Sequence, residues 1–559
     1  MNNSTNNTAH QATTAPFCTP ETTALLQRIR DNVIGERMPL QTPFGERPLV
    51  YADYTASGRA LHFIEDAIRN QVLPWYANTH TETSATGRQT TAFREQARAA
   101  VRKSVNAGED HAIIFCGSGA TAAVNRLVDC LGLRKDSYKR FGGDAGSIAD
   151  DKRPVVFIGP YEHHSNDLPW RESVAEVVTI PQDNLGGVDL EALQKALDQY
   201  ADRPLKIGSF SAASNVTGIR TDVDAVTRLL HQNNALSFWD YAAAAPYVGI
   251  DAHGDGQLTS KDALFISPHK FVGGPGTPGI LVLRRDLLPE SQPAVTGGGT
   301  VSWVSPARHT YLPAGERREE AGTPAIVESV RAGMAFALKD QVGADTIEAR
   351  EDYWLTRAFE RWCHNPNIQI LGGTQARRVS IVSLHLLHAG KPLHHGFVVA
   401  LLNDLFGIQV RGGCSCAGPY GHHLLHLTDE QSTAIERLVS EGESILKPGW
   451  VRLNFNYFLD EETVDYLIDA IELIAEHGHR MLPFYQYDAS HGVWRYQGIE
   501  AGAPIPLGFD MGGSAPAKVA TPLPEFIQQA RSILANPPGE VCEQPVLSKE
   551  GEVLRWFQI

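Results

Sequence analysis

Between about Pro48 and Arg285 the chain alternates two hydrophobic periods. Short, largely apolar runs at Ala112–Cys116, Pro154–Ile158, Lys206–Ser211, Ala235–Trp239 and Ala263–Ile266 read as buried strands. Amphipathic stretches separate them, one of which opens at Asp222 and runs to about Asn233. Strands buried on both faces and spaced by helices predict a largely parallel sheet covered by helices, the α/β class. The apolar runs Phe265-Ile266 and Ile280–Leu283 bracket SPHKFVGGPGTPG, where Gly and Pro predict an ordered loop.

Beyond about Pro324 the pattern becomes that of a smaller α+β domain. His394–Asp404 reads as a helix ending near Gly407, with Ile408–Arg411 and Gly449–Phe455 as strands. Asp460 is placed to cap a helix whose Val464, Leu467, Ile468, Ile471 and Ile474 share one face. The expected organisation is a disordered tail (1–20), an N-terminal arm (21–50), a large domain (51–320), a small C-terminal domain (321–485) and a C-terminal extension (486–559). The extension mixes Gly/Pro-rich coil with a helix near Leu523–Leu534 and carries no functional signal.

Composition narrows the classes. The 559 residues, 42% hydrophobic and 20% charged, are those of an ordinary globular chain, and the net charge of −15 argues against nucleic-acid backbone binding. Without an apolar stretch of membrane-spanning length, no membrane segment is expected. The opening MNNSTNNTAHQATTAP lacks Lys, Arg and an apolar core, so no secretory signal is expected. Seven scattered cysteines fit reduced thiols, and hence a cytoplasmic location.

Ligands of open α/β sheets collect beyond the carboxyl ends of the strands. There the sequence places GSGATAAVN (117–125), YEHHSN (161–166), SNVTG (214–218), Asp240 and SPHK (267–270), after five successive strands. Each has an ordinary structural explanation when taken alone; together they suggest a site. A Gly-rich turn opening a helix offers free N–H groups to a phosphate. A loop lysine and a carboxylate suit pyridoxal 5'-phosphate, which is held as an imine by lysine and needs an anion beside its ring nitrogen.

On these motifs the chain resembles the class V, fold type I pyridoxal-phosphate enzymes, close to the type II cysteine desulfurases and selenocysteine lyases, from about Tyr51 to Tyr457. The resemblance implies phosphate contacts from Ala120, Thr121, Ser267 and His269. It places His163 stacked on the cofactor ring, Asn215 near the ring oxygen, Asp240 at the ring nitrogen and Lys270 as the covalent anchor. GGGT (297–300) and EEAGTP (319–324) match in kind and order. In VRGGCSCAG (410–418) Arg411 stands five residues before Cys416, as before the nucleophilic cysteine of the type II desulfurases, and Arg452 matches the arginine that grips the substrate carboxylate. The implied reaction has Lys270 removing the Cα proton of a small amino acid, His163 aiding proton movement, and Cys416 taking its sulfur or selenium as a persulfide while alanine leaves. A homodimer and a sulfur-acceptor protein are implied partners.

Three positions depart from the family pattern. Ala243 replaces a glutamine, Cys414 replaces a histidine, and a histidine-arginine pair survives only as His80-Thr81, with His80 kept among the expected substrate-side residues. Other class V chemistry therefore stays open: a C–S lyase, an epimerase, an aminotransferase, or a scaffold that keeps the cofactor without turnover. GGPGTPG contains a formal G-x-G-x-x-G, but a strand follows it where a dinucleotide fold needs a helix. Cys414, Cys416, His422, His423 and His426 form a metal-binding alternative in which His422 and His426 would share a helix face, but C-x-C is not a usual zinc spacing. No metal is expected.

Overall fold

The computed structural model describes residues 18–79, 81–135, 148–497 and 517–559 of the chain. Its centre is a seven-stranded sheet made of β1 (His111–Cys116), β2 (Val155–Ile158), β3 (Glu176–Thr179), β4 (Lys206–Ser211), β5 (Leu236–Asp240), β6 (Ala263–Ile266) and β7 (Gly279–Arg284). The spatial order is β1-β7-β6-β5-β4-β2-β3. All pairings are parallel except those of β7, which runs antiparallel to both β1 and β6. β7 reverses because a loop, not a crossover helix, connects it to β6. The five strands read from the sequence are present within a residue or so at each end. β3 was not expected, since Glu176–Thr179 is only half-buried at the sheet edge and lacks the fully apolar run of its neighbours.

A second, antiparallel sheet contains β8 (Ile368–Ile370), β9 (Ile381–His388), β10 (Arg411–Gly413) and β11 (Trp450–Asn454), in the order β8-β9-β11-β10. The expected strand at Ile408–Arg411 is divided. Ile408–Gln409 pairs in parallel with Val50–Tyr51, and only from Arg411 does the chain join β11. That division ties residues 50–53 to the second sheet, because the amide of Ala52 donates to Gln409 O and that of Asn454 to Ala52 O.

Two helices pack on this sheet, and a third lies against them. The helix His395–Phe406 ends on Gly407, whose φ of 69° is the left-handed cap a glycine supplies. Glu461–His477 begins at Asp460, whose side chain accepts from Thr463 N. Its five expected apolar residues are all buried, each burial stabilising by about 1.5–3 kcal/mol. The third helix, Leu523–Ala535, buries Leu523, Phe526, Ile527, Ala530 and Leu534 in the same core, so the C-terminal extension contributes to packing. Among the described residues no helix is long and apolar enough to cross a membrane.

Candidate active site

A pocket of about 310 Å³ opens at the carboxyl ends of the central strands, lined from the segments after β1, β2, β4, β5 and β6 and from the Cys416 loop. At its first end the helix Gly119–Cys130 starts without a side-chain cap from Ser118. The Ala120 amide donates to Ser267 Oγ at 2.8 Å, and Thr121 Oγ1 lies 2.6 Å from Ser165 Oγ. Gly119 has φ 56°, and a Cβ there would stand 2.8 Å from Ser267 Oγ and 3.0 Å from His269 Cε1. Only glycine keeps this concave, donor-rich helix start open, and such a start suits a phosphate.

Lys270 lies on the short turn Pro268–Lys270, closed by its amide donating to Ser267 O at 3.1 Å. The following glycines let the loop fold tightly: a Cβ at Gly274 would sit 2.0 Å from Pro268 O. Burial, with Arg452 and Arg411 nearby, lowers the Lys270 ammonium to about 8, against the pull of Asp240 and Asp53. Asp240 is buried and accepts from the Ala242 amide at 2.7 Å. Its burial raises the carboxyl above its ordinary value, opposed by that amide and by Lys270. A cation set against it would restore the carboxylate.

Burial, then Lys270, depresses His163 to about 3 and His269 to about 4, so both are neutral near pH 7. His163 Nδ1 accepts from Ser165 N at 3.1 Å, which leaves the ring proton on Nε2.

The opposite end carries the arginines. Arg452 is buried; its guanidinium donates to Asp53 Oδ1 at 3.1 Å and to Asn215 O at 2.9 Å, and its Nε has no partner. Arg411 Nε lies 3.3 Å from Asp53 Oδ2. One carboxylate therefore orients two guanidiniums and leaves donor capacity for an anion. Asn215 Nδ2 donates to Ser415 O at 2.7 Å, while its buried Oδ1 is unpartnered. Cys416 lies on this wall as an exposed thiol; Cys414 is also exposed but is not among the lining residues.

The pocket thus gathers Ala120, Thr121, His163, Asn215, Asp240, Ser267, His269, Lys270, Arg411, Cys416 and Arg452. His80 lies outside the described residues. GGGT and EEAGTP pack on each other through Gly322 N and Gly298 O, away from the lining residues. Within the second motif Glu320 is buried between Arg94 and Arg98. Sequence reasoning missed Asp53 and His164. Asp53 follows a two-residue strand too short to show a period, and His164 was overshadowed by its neighbour. The expected shared face of His422 and His426 is corrected: the helix Gly418–Leu424 ends before His426, which has φ 52°. Among the described residues no group of three His, Cys, Asp or Glu side chains is placed to hold a metal.

Residues 50–467 match the family model for class V aminotransferases. A probable cysteine desulfurase of Streptomyces coelicolor is 29% identical over 376 residues, 66% of this chain and 84% of that protein. One from Staphylococcus aureus (strain Mu50 / ATCC 700699) is 28% identical over 452 residues, 80% of this chain and 97% of its own length. In fold, the chain resembles the apo cysteine desulfurase of Thermococcus onnurineus NA1, with TM-score 0.62, 22% identity, and 83% and 100% of the two chains covered. The Escherichia coli cysteine desulfurase CsdA gives TM-score 0.58 at 22% identity, with 78% and 97% covered. With the family model spanning most of its length, this chain belongs to the class V aminotransferase family.

Proposed function

We propose that this chain is a pyridoxal-phosphate-dependent cysteine desulfurase-like enzyme, which takes sulfur or selenium from a small amino acid onto Cys416 and releases alanine. The observation that carries the reading is one pocket with a lysine of lowered pKa at its centre, a buried carboxylate behind it, and two arginines beside a thiol at its far wall. The names of the relatives support it.

The residues fit the cofactor. The uncapped helix start at Gly119, with Ala120, Thr121, Ser267 and His269, would hold the phosphate; Asp240 would face the ring nitrogen, and Asn215, whose Nδ2 donates to Ser415 O, would stand on the ring-oxygen side. When bound, the cofactor supplies an electron sink for a carbanion at the substrate Cα. Arg452 orients the substrate carboxylate, with Asp53 fixing the fork. Lys270, neutral once deprotonated near pH 8, takes the Cα proton. His163 presents its Nε2–H to the pocket. The Cys416 thiolate attacks the substrate sulfur, breaking the Cβ–S bond; the sulfur stays on Cys416 as a persulfide and the carbon skeleton leaves, after protonation, as alanine.

This reading includes a homodimer, a sulfur-acceptor protein, a cytoplasmic setting, and a division into a large domain (51–320) and a small one (321–485). Ala243, on the pocket wall where a glutamine is usual, favours a second reading: class V chemistry on another amino acid without a persulfide. The test is an assay of alanine and sulfide over a panel of amino acids, with Cys416→Ala beside the wild type. Sulfide from cysteine that is lost in the variant supports the proposal. Full activity in the variant moves the chain to the second reading.

A further inference from the structure

The histidine after His163 has no place in the chemistry above, yet it grips the loop that bears the thiol. The His164 amide donates to Cys416 O at 2.9 Å, and its Nε2 accepts from the Gly418 amide at 3.1 Å. Between those bonds the backbone is strained. Ser415 and Cys416 have φ of 55° and 56°, and the Ala417 amide donates to Cys414 O at 3.2 Å. Residues 414–417 therefore form a turn with both central residues left-handed, a geometry for which Asn-Gly is the favoured pair and where a Cβ is penalised.

Here the pair is Ser-Cys, and nothing local compensates. Ser415 Oγ is buried without a partner. Strained residues persist where their surroundings over-determine them. The surroundings are His164 on one side and Asn215 Nδ2, bound to Ser415 O at 2.7 Å, on the other. His164 also continues directly from His163 on the pocket wall, so one short segment fixes both the ring-side histidine and the thiol loop.

We propose that His164 is a positioning residue for Cys416: its two hydrogen bonds impose the left-handed turn that keeps the thiol on the pocket wall, within reach of the substrate sulfur. The inference rests on the reading of Cys416 as sulfur acceptor. Removing the imidazole leaves Gly418 N–H without its acceptor and lets the turn relax away from the pocket.

The experiment compares wild type, His164→Ala, His164→Gln and His164→Ala/Ser415→Gly, all loaded with pyridoxal phosphate. Three quantities are read: the single-turnover rate of persulfide formation on Cys416 with cysteine, cysteine affinity from the cofactor absorbance, and hydrogen exchange over residues 411–424. His164→Ala is expected to slow persulfide formation at least about tenfold with affinity held within about twofold, since a misplaced reacting group costs rate before binding. Exchange over 411–424 rises in the same variant. Gln, which keeps an acceptor near the Nε2 position, restores most of the rate, and Ser415→Gly regains part of it by removing one Cβ from the strained turn. A His164→Ala rate within about twofold of wild type overturns the proposal, as does a parallel fall in affinity or a Gln variant no better than Ala. Should His164→Ala fail to fold, His164→Asn, whose shorter side chain does not reach the Gly418 amide, takes its place: its rate is expected to fall at least about tenfold, below that of Gln, and an Asn rate within about twofold of wild type overturns the proposal. If wild type makes no persulfide on Cys416, the functional reading fails, and the exchange measurement still decides whether His164 holds the turn.

Discussion

The two ends of the pocket are built differently. The cofactor end rises from strand ends of the central sheet: Asp240 closes β5, Ser267 to Lys270 follow β6, and Gly119 opens the helix after β1. Its polar groups are bonded to one another, as in the Ala120 and Ser267 pair. The thiol end is assembled from segments far apart in sequence, with Asp53, Arg411, Cys416 and Arg452 meeting beside Asn215, which both ends share. It retains unpartnered buried atoms, Arg452 Nε, Asn215 Oδ1 and Ser415 Oγ, and two left-handed non-glycine residues. A frame of buried strand ends suits a permanently held cofactor. The spare Arg452 Nε–H donor and a strained loop suit transient partners, the substrate carboxylate and sulfur.

If this division holds, damage to each end has its own signature. The largest effect is expected from Lys270→Ala, about 10⁴-fold or more in turnover, because anchor and base are lost together; alanine release measures it. Arg452→Ala removes the carboxylate fork and leaves Asp53 with only Arg411, so kcat/KM for cysteine falls about 10²-fold while cofactor affinity stays near wild type. The reverse pattern in that variant would erase the distinction between the ends.

Gly119→Ala acts on the cofactor end alone, by strain at φ 56° and by crowding Ser267 and His269, and weakens cofactor affinity about tenfold in an absorbance titration. A further expected effect is a pH dependence. In cofactor-free protein only the neutral Lys270 amine captures the aldehyde, so the capture rate climbs with pH and levels off above about 8, not above the ordinary lysine value of 10.5. Folding stability follows the same sign. Below pH 8 folded and unfolded lysines are both protonated and the burial cost is fully present; it is relieved between pH 8 and 10.5, where only the unfolded chain holds the proton. Stopped-flow capture across pH 6.5–10 reads the midpoint.

The same contrast explains what was legible in the sequence. Strands buried on both faces declare themselves as apolar runs, so the polar residues at their ends, from Gly119 to Lys270, were found by position. The fold class followed from the same alternation. The thiol end gave weaker signals. Arg411, Cys416 and Arg452 came from family resemblance, and Asp53 was invisible because Val50–Tyr51 becomes a strand only by pairing with Ile408–Gln409. The division of Ile408–Arg411 between two partners has the same origin, since a short run does not encode which neighbour it will meet. His164 shows its role only once Cys416 and Gly418 are brought beside it, more than two hundred residues along the chain.

In the proposed reaction the thiol end receives the sulfur that the cofactor end sets free. The most direct measurement is a single turnover of wild-type protein with cysteine, quenched and analysed for alanine and, by peptide mass mapping, for bound sulfur. One sulfur on Cys416 is expected for each alanine formed. Alanine formed with Cys416 unmodified would contradict it.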